Sequence, residues 1–362
     1  MTTVWSFLLV LSVLIFVHEL GHFLVARFFG IRVLKFSIGF GPRVWGRIKN
    51  GTDYCISAFP LGGFVKMLGE DKEDEVNAEE MKYSFSNKPL WQKALVVAAG
   101  PMSNLLFAWI IFFFIYMAYG NPVILPIIGE VQKESPAEMA GIKAGDQITS
   151  VNGREIHSWD EVSKTIKSTK GGEVQLLIQR GEERIEMLVT PGIKKIKNIF
   201  GEEVATPIIG VTASGNLKIE RLDPFSAFGS AFLRTYELIF LTIKGIIKLI
   251  ERVVPLSSLG GPIMIAQMAG QQAELGVLNL FFFMALLSIN LGILNFLPIP
   301  ILDGGHLVIF GIEGLIRRPL SGKQLEVLNK TGMVLLGALM LFVFYNDIMR
   351  IINKINPFDL AK

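Results

Sequence analysis

Residues 13–26 read Val13-Leu14-Ile15-Phe16-Val17-His18-Glu19-Leu20-Gly21-His22-Phe23-Leu24-Val25-Ala26, so two histidines and a glutamate stand inside an apolar run. Residues four apart share one face of a helix, which lets both imidazoles point at one metal ion with Glu19 beside them. An ionisable group at mid-bilayer costs about 3 kcal/mol and is kept mainly for function. The stretch therefore predicts a metal site within a membrane helix.

The composition points to a membrane protein. Of the 362 residues, 51% are hydrophobic, and the formal net charge is only +3. No Lys/Arg tract of the kind that follows nucleic-acid phosphates is present, so we expect no nucleic-acid partner.

Cys55 is the single cysteine, which excludes an intramolecular disulfide. Residues 1–7 hold no basic residue, which disfavours a cleavable signal peptide.

Four long apolar segments are near the ~20 residues that a spanning helix requires. We expect transmembrane helices at 1–27, 94–120, 277–303 and 331–350, the last containing the shortest apolar run. The predicted fold class is a multi-pass α-helical membrane protein with about four transmembrane helices. Asp347, near the end of the fourth helix, is expected at the outer membrane interface.

Basic residues predict the orientation. Lysine and arginine are frequent in segments 28–93 and 304–330 and missing from the N-terminal tip. Because cytosolic loops carry the excess of positive charge, both segments are expected in the cytosol. The N-terminus and residues 121–276 are then extracytoplasmic, and the tail at 351–362 follows the fourth span. This orientation places the His22 end of the first span on the cytosolic side.

The cytosolic segment 28–93 is expected to hold a β-loop. Short apolar runs flank Asn50-Gly51, a pair that favours a tight hairpin turn because both residues tolerate positive φ. The acidic run 70–75 is interpreted as a solvated linker.

Residues 121–200 are expected to form a small α+β domain. Ser135-Pro136 and the capping box Ser158–Glu161 predict helix starts. Apolar runs around Arg180–Glu183 predict a hairpin. Residues 201–276 are expected to form an extracytoplasmic connecting region with an amphipathic helix at 228–251; a fifth span is the alternative, disfavoured by its charges.

A second stretch supplies the missing metal ligand. A catalytic zinc takes three protein ligands and leaves one position open, and Asp303 is the outstanding candidate for the third. Asp303 ends the predicted third span in a run that begins at Asn295 and contains Pro298 and Pro300. These prolines predict irregular backbone, which is tolerated at membrane depth only inside protein or beside a wet cavity. Glu19 then remains free to act as the general base of peptide-bond hydrolysis.

The chain resembles the site-2 protease family of intramembrane zinc metalloproteases, in its bacterial branch that carries a PDZ domain and cleaves anti-sigma factors. The resemblance covers nearly the whole sequence. The motifs that carry it are His18–His22, Gly39–Gly41, Pro60–Lys66, Ala99–Asn104, Gly260–Ile263 and Asn295–Gly304.

The resemblance implies Zn2+ as cofactor, His18, His22 and Asp303 as its ligands, and Glu19 as catalytic base. The substrate-binding residues are expected to be Asn295, Pro298, Pro300, Gly62 and Gly63. The resemblance also implies one extracytoplasmic PDZ domain at 121–200 and a membrane-associated β-loop. Well-known Gram-negative members carry two PDZ domains in tandem, whereas this chain has room for one.

The expected partners are single-pass transmembrane substrates similar to anti-sigma factors, the lipid bilayer, and a peptide ligand of the PDZ domain. The expected location is the bacterial cytoplasmic (inner) membrane. Two other functions stay open at this point: a metal transporter or sensor that uses the same ligands, and an inactive scaffold that works through the PDZ domain. Only the protease requires Glu19.

Overall fold

The computed structural model describes residues 2–70 and 76–353. Most of the acidic linker predicted at 70–75 therefore lies outside the described residues, as does most of the tail at 351–362.

The described chain contains nine α-helices and twelve strands. The helices are α1 (Thr2–Phe28), α2 (Leu90–Tyr119), α3 (Pro136–Met139), α4 (Trp159–Ser168), α5 (Pro224–Ile250), α6 (Pro262–Leu275), α7 (Val277–Asn295), α8 (Asp303–Ile316) and α9 (Gly322–Ile352). The strands are β1 (Val33–Lys49), β2 (Thr52–Met67), β3 (Asn121–Ile124), β4 (Ile128–Val131), β5 (Gln147–Val151), β6 (Arg154–Glu155), β7 (Val174–Arg180), β8 (Glu183–Val189), β9 (Gly192–Lys197), β10 (Glu203–Ile208), β11 (Val211–Ala213) and β12 (Leu217–Glu220).

Among the described residues, four helices are long and apolar enough to cross a membrane: α1, α2, α7 and α9. They correspond to the four predicted segments, with different bounds. The helix of the fourth segment begins at Gly322, before the predicted 331, because Ser321 and Gln324 form a reciprocal capping box at its start.

The third segment differs from its prediction as a single helix at 277–303. Helix α7 ends at Asn295, the chain turns through residues 296–302, and Asp303 is the first residue of α8. Pro298 and Pro300 lack the N–H that a continuing helix needs, and Ile301 has φ +85°. Asp303 therefore begins a helix, and the prediction that it ends the third span is wrong.

The region predicted as a connecting segment contains two helices. Helix α5 matches the predicted amphipathic helix and packs against α2 and α7: Phe232 meets Trp109 edge-on, and the Thr242 hydroxyl donates to Asn290 Oδ1 over 3.0 Å. Helix α6, which was not predicted, packs against α1, where Gly270 contacts Thr3.

The start of α6 is held by the end of α9. The Asp347 carboxylate accepts hydrogen bonds from the backbone N–H groups of Gly261, Ile263 and Met264, and Asp347 is 2% exposed. A carboxylate at a helix N-terminus satisfies donors that have no partner within the helix. The expectation that Asp347 faces the membrane interface is therefore wrong.

Strands β1 and β2 form the predicted hairpin, with positive φ at both Asn50 and Gly51. Both strands bend, so that residues 33–38 pair with 53–56 on one side and with 63–67 on the other. In the described chain, the 63–67 segment has this one strand partner and forms an edge. A buried cluster fixes the loop to α1 and α2; its members are Ala26, Ile31, Val33, Phe36, Val65, Met67 and Val96.

A second compact unit comprises residues 115–228 and 248–254, and thus extends beyond the predicted 121–200. Its main sheet has the strand order β6-β5-β7-β8, and β11 pairs with β4. Ser135 and Ser158 accept hydrogen bonds from backbone N–H groups in the first turns of α3 and α4, as predicted. The hairpin β7–β8 also matches its prediction.

An ion pair fixes one side of this unit. Asp146 is 1% exposed and accepts two 2.8 Å hydrogen bonds from Arg180 and one from the Lys143 backbone N–H. Burial alone raises the pKa of the Asp146 carboxyl, but these hydrogen bonds outweigh it and hold the pKa below its ordinary 3.8.

We expect Asp146→Asn to lower the free energy of opening of β5 and β7 by about 2 kcal/mol, because it removes the charge of a buried carboxylate. The effect is moderate because the Arg180 side chain is 29% exposed, so water screens the ion pair. Hydrogen–deuterium exchange of the full-length protein at pH 7 measures this. The stabilisation is complete well above pH 3.8 and is lost as the pH falls through the lowered pKa of the folded protein, so wild type and variant converge below that pKa. Exposed Glu173→Gln is the control; equal exchange of all three proteins at pH 7 would contradict the assignment.

Candidate active site

Helix α1 carries His18 and His22 on the face that meets α2. Gly21 permits this approach, since a Cβ there would lie 2.3 Å from the Ala99 carbonyl oxygen. The Ser103 hydroxyl on α2 lies 2.7 Å from the Val17 carbonyl oxygen and donates a hydrogen bond across the same contact. The two helix backbones therefore approach each other closely beside the two histidines, and His18 is 8% exposed.

Asp303 completes a three-residue cluster. Its Oδ2 lies 3.1 Å from His18 Nε2 and its Oδ1 lies 3.6 Å from His22 Nε2, while the two Nε2 atoms are 3.2 Å apart. One potential ligand atom from each residue lies within 4.8 Å of the others. The structure thus brings together the three residues that the sequence predicts as metal ligands.

Two glycines at the start of α8 allow Asp303 to reach the histidines. A Cβ at Gly304 would lie 2.3 Å from the carbonyl oxygens of Phe296 and Leu297, and a Cβ at Gly305 would lie 2.3 Å from that of Ile299. The start of α8 therefore packs directly on the turn backbone. No side chain fits at either position.

The second nitrogen of each imidazole also has a nearby polar group. His22 Nδ1 lies 2.9 Å from the Val96 carbonyl oxygen, an acceptor that favours the proton on Nδ1 and leaves Nε2 free as a ligand. His18 Nδ1 lies 3.1 Å from the side-chain amide of Asn104, which is fully buried. Gly100 leaves room for His22, because a Cβ there would lie 2.2 Å from Nε2.

These α2 residues are the part of the site that sequence reasoning missed. The motif Ala99–Asn104 was singled out by resemblance, but no role was assigned to it. Val96 acts through its backbone carbonyl, which no sequence pattern reveals. The four-residue spacing of Val96, Gly100 and Asn104 is the signal that could have located one face of α2 beside the histidines.

Glu19 lies beside the β-loop. A Cβ on Gly63 would lie 3.0 Å from Glu19 Cγ and 2.8 Å from Ile15 Cγ2, so the edge segment 63–67 begins next to this carboxylate side chain. Gly62 packs on the Phe40 ring, and its φ of +137° favours glycine. Of the predicted substrate-binding glycines, Gly63 is the one that contacts Glu19.

The remaining predicted substrate-binding residues lie at the end of α7 and after it. Asn295 Nδ2 is 3.5 Å from both ring nitrogens of His18, so Asn295 borders the cluster. Pro298 and Pro300 form the turn, and the Pro300 carbonyl oxygen packs against Gly332 of α9.

The donor set fits a catalytic zinc ion. Two imidazole nitrogens and one carboxylate are a ligand combination of catalytic zinc sites, which leave a position for water or substrate. The polar groups beside both Nδ1 atoms supply the surroundings typical of metal-binding histidines.

Comparison with known proteins identifies the family. The family model of peptidase family M50 matches residues 6–339. A Campylobacter jejuni protein named as a zinc metalloprotease is 40% identical over 351 residues, with 96% of this chain and 93% of that protein covered. A similarly named protein of Agrobacterium fabrum is 36% identical, with 96% of each chain covered.

The regulator of sigma-E protease RseP of Salmonella typhimurium is 32% identical over an alignment of 442 residues that covers 96% of this chain and 98% of RseP. A PDZ-domain structure from Listeria monocytogenes is 25% identical and covers 24% of this chain and 84% of its own, with a TM-score of 0.20. The family match and the full-length relatives carry the identification: the chain belongs to peptidase family M50 and is a zinc metalloprotease.

Proposed function

We propose that the chain is an intramembrane endopeptidase that cuts single-span membrane proteins within or near their transmembrane segment. The observation that carries the proposal is the position of the His18, His22 and Asp303 cluster. Two of its members lie in a helix long and apolar enough to cross a membrane, and the third follows another such helix. Family membership favours this function over a metal transporter, a metal sensor or an inactive scaffold.

In this proposal, His18, His22 and Asp303 hold zinc, and Glu19 is the general base. Bound zinc would supply Lewis acidity, which acidifies water and polarises a carbonyl group. Glu19 takes a proton from the attacking water and passes it to the leaving amine. Asn295, at the edge of the cluster, is positioned to hold the substrate backbone through its amide.

A transmembrane substrate must unwind before it is cut, because a helix hides its peptide carbonyls. The edge segment 63–67 offers the unwound chain a strand to pair with, which replaces lost backbone hydrogen bonds. This edge begins beside Glu19 at Gly63, so a paired substrate lies next to the catalytic base. Gly62, Pro298 and Pro300 shape the surrounding backbone.

The proposed location is the bacterial cytoplasmic membrane, with the N-terminus and the second unit outside. The excess of lysine and arginine in 28–93 and 304–330 supports this orientation. The second unit, with its four-stranded sheet and two capped helices, is proposed to be a single PDZ domain that binds peptide. The proposed substrates are anti-sigma factors or remnant signal peptides.

We expect Glu19→Gln to reduce cleavage of a purified single-span reporter at least ~100-fold, because it removes the general base. Zinc content, measured by elemental analysis, is expected to stay at the wild-type level. Glu326→Gln, at an exposed position on α9, is the matched control and should cleave normally. A Glu19→Gln enzyme that still cuts would overturn the assigned role.

In cells, the same pair of variants tests the substrate class. Membrane proteomics should find single-span fragments that accumulate with Glu19→Gln and disappear with wild type or Glu326→Gln. Accumulation of soluble proteins alone would argue against intramembrane proteolysis.

We expect Gly63→Val to lower cleavage ~10-fold or more with zinc content unchanged, since its side chain would collide with Glu19 and Ile15. Gly311→Ala, where an added Cβ meets no atom within 4 Å, is the control. Wild-type cleavage by Gly63→Val would rule out a close approach of the loop edge to the base.

A further inference from the structure

We propose that the Asn104 side chain is a positioning residue that selects the metal-binding tautomer of His18. The inference rests on the proposed zinc site and adds a residue to which no role has been assigned. Two observations support it: the Asn104 amide lies 3.1 Å from His18 Nδ1, and Asn104 is completely buried.

A neutral imidazole carries one proton. If Nε2 binds a metal, the proton must be on Nδ1, and this N–H needs an acceptor when it is buried. His22 has such an acceptor in the Val96 carbonyl oxygen, which faces its Nδ1. The Asn104 side chain lies 3.1 Å from His18 Nδ1, nearer than the Asn295 amide nitrogen at 3.5 Å, and therefore corresponds to Val96 for the other histidine.

The amide of Asn104 can present either of two atoms to the ring. Its nitrogen and oxygen have nearly the same shape, and the hydrogen-bond network decides between them. With Nδ2 toward the ring, the Oδ1 atom is buried and has no hydrogen-bond partner within the described residues. Rotation of the amide by half a turn brings this unused acceptor to His18 Nδ1.

The backbone geometry supports a dedicated role for this face of α2. Val96, Gly100 and Asn104 follow each other at four-residue intervals, and the antiparallel α1 presents His22 and His18 at the same interval. The outer residues face one imidazole each, and Gly100 between them leaves space for His22. Helix α2 thus contacts the Nδ1 atoms of both histidines, that of His22 through the Val96 backbone carbonyl and that of His18 through the Asn104 side chain.

Asn104 also has a packing role that must be separated from this one. Its backbone carbonyl accepts a 2.7 Å hydrogen bond from the Ser288 hydroxyl of α7. This contact does not involve the Asn104 side chain. Ser288→Ala therefore perturbs the same helix contact while the amide beside His18 is retained.

The test measures zinc affinity of the full-length purified protein by competition with a chelator, for wild type and the variants Asn104→Leu, Asn104→Asp and Ser288→Ala. Leucine keeps the branched outline and the number of side-chain heavy atoms of asparagine and offers no acceptor, so Asn104→Leu should bind zinc about 10- to 100-fold more weakly. Aspartate restores an acceptor, so Asn104→Asp should bind at least as tightly as wild type. Ser288→Ala should bind as wild type does.

The outcomes separate the two proposals. Zinc binding by Asn104→Leu at the wild-type level would overturn the role of Asn104 and leave the zinc site intact. Equal weakening in Asn104→Leu and Asn104→Asp would also overturn it, because packing and not an acceptor would then be responsible. Absence of zinc binding by the wild-type protein would instead contradict the proposed function itself.

Discussion

The carboxylate of Asp303 lies against the imidazoles of both His18 and His22, among helices that are apolar enough to lie in a membrane. Polar groups in such surroundings must be satisfied mainly by one another, because surrounding lipid offers them no hydrogen bonds. The close approaches of the helix backbones serve this requirement. Gly21, Gly100, Gly304 and Gly305 stand where a Cβ would collide with backbone or with an imidazole.

Helix α2 has a larger part in the site than its composition suggests. It provides the Val96 carbonyl behind His22, the Asn104 amide behind His18 and the Ser103 hydroxyl bonded to α1. The β-loop is anchored on the same helices through its buried cluster, and its edge consequently lies next to Glu19. The three-residue cluster, Glu19 and the edge of the β-loop are thereby held by one set of packing contacts.

The sequence was sufficient to predict those site residues that belong to a short motif of recognisable spacing. His18 and His22 are four residues apart on a helix, and Asp303 stands in a proline-containing run with Asn295. The sequence was insufficient where distant contacts decide. The pairing of β11 with β4 extends the second unit beyond residue 200, and the capping of α6 by Asp347 joins positions more than 80 residues apart.

X-ray absorption at the zinc edge of the purified, full-length protein tests the central claim most directly. The account predicts one zinc ion per chain, with nitrogen and oxygen ligands at about 2.0–2.2 Å and the outer-shell scattering of two imidazoles. A sulfur ligand at about 2.3 Å, which in this chain requires Cys55 or a methionine, would contradict it. Zinc scattering that stays unchanged in Asp303→Ala would contradict it as well.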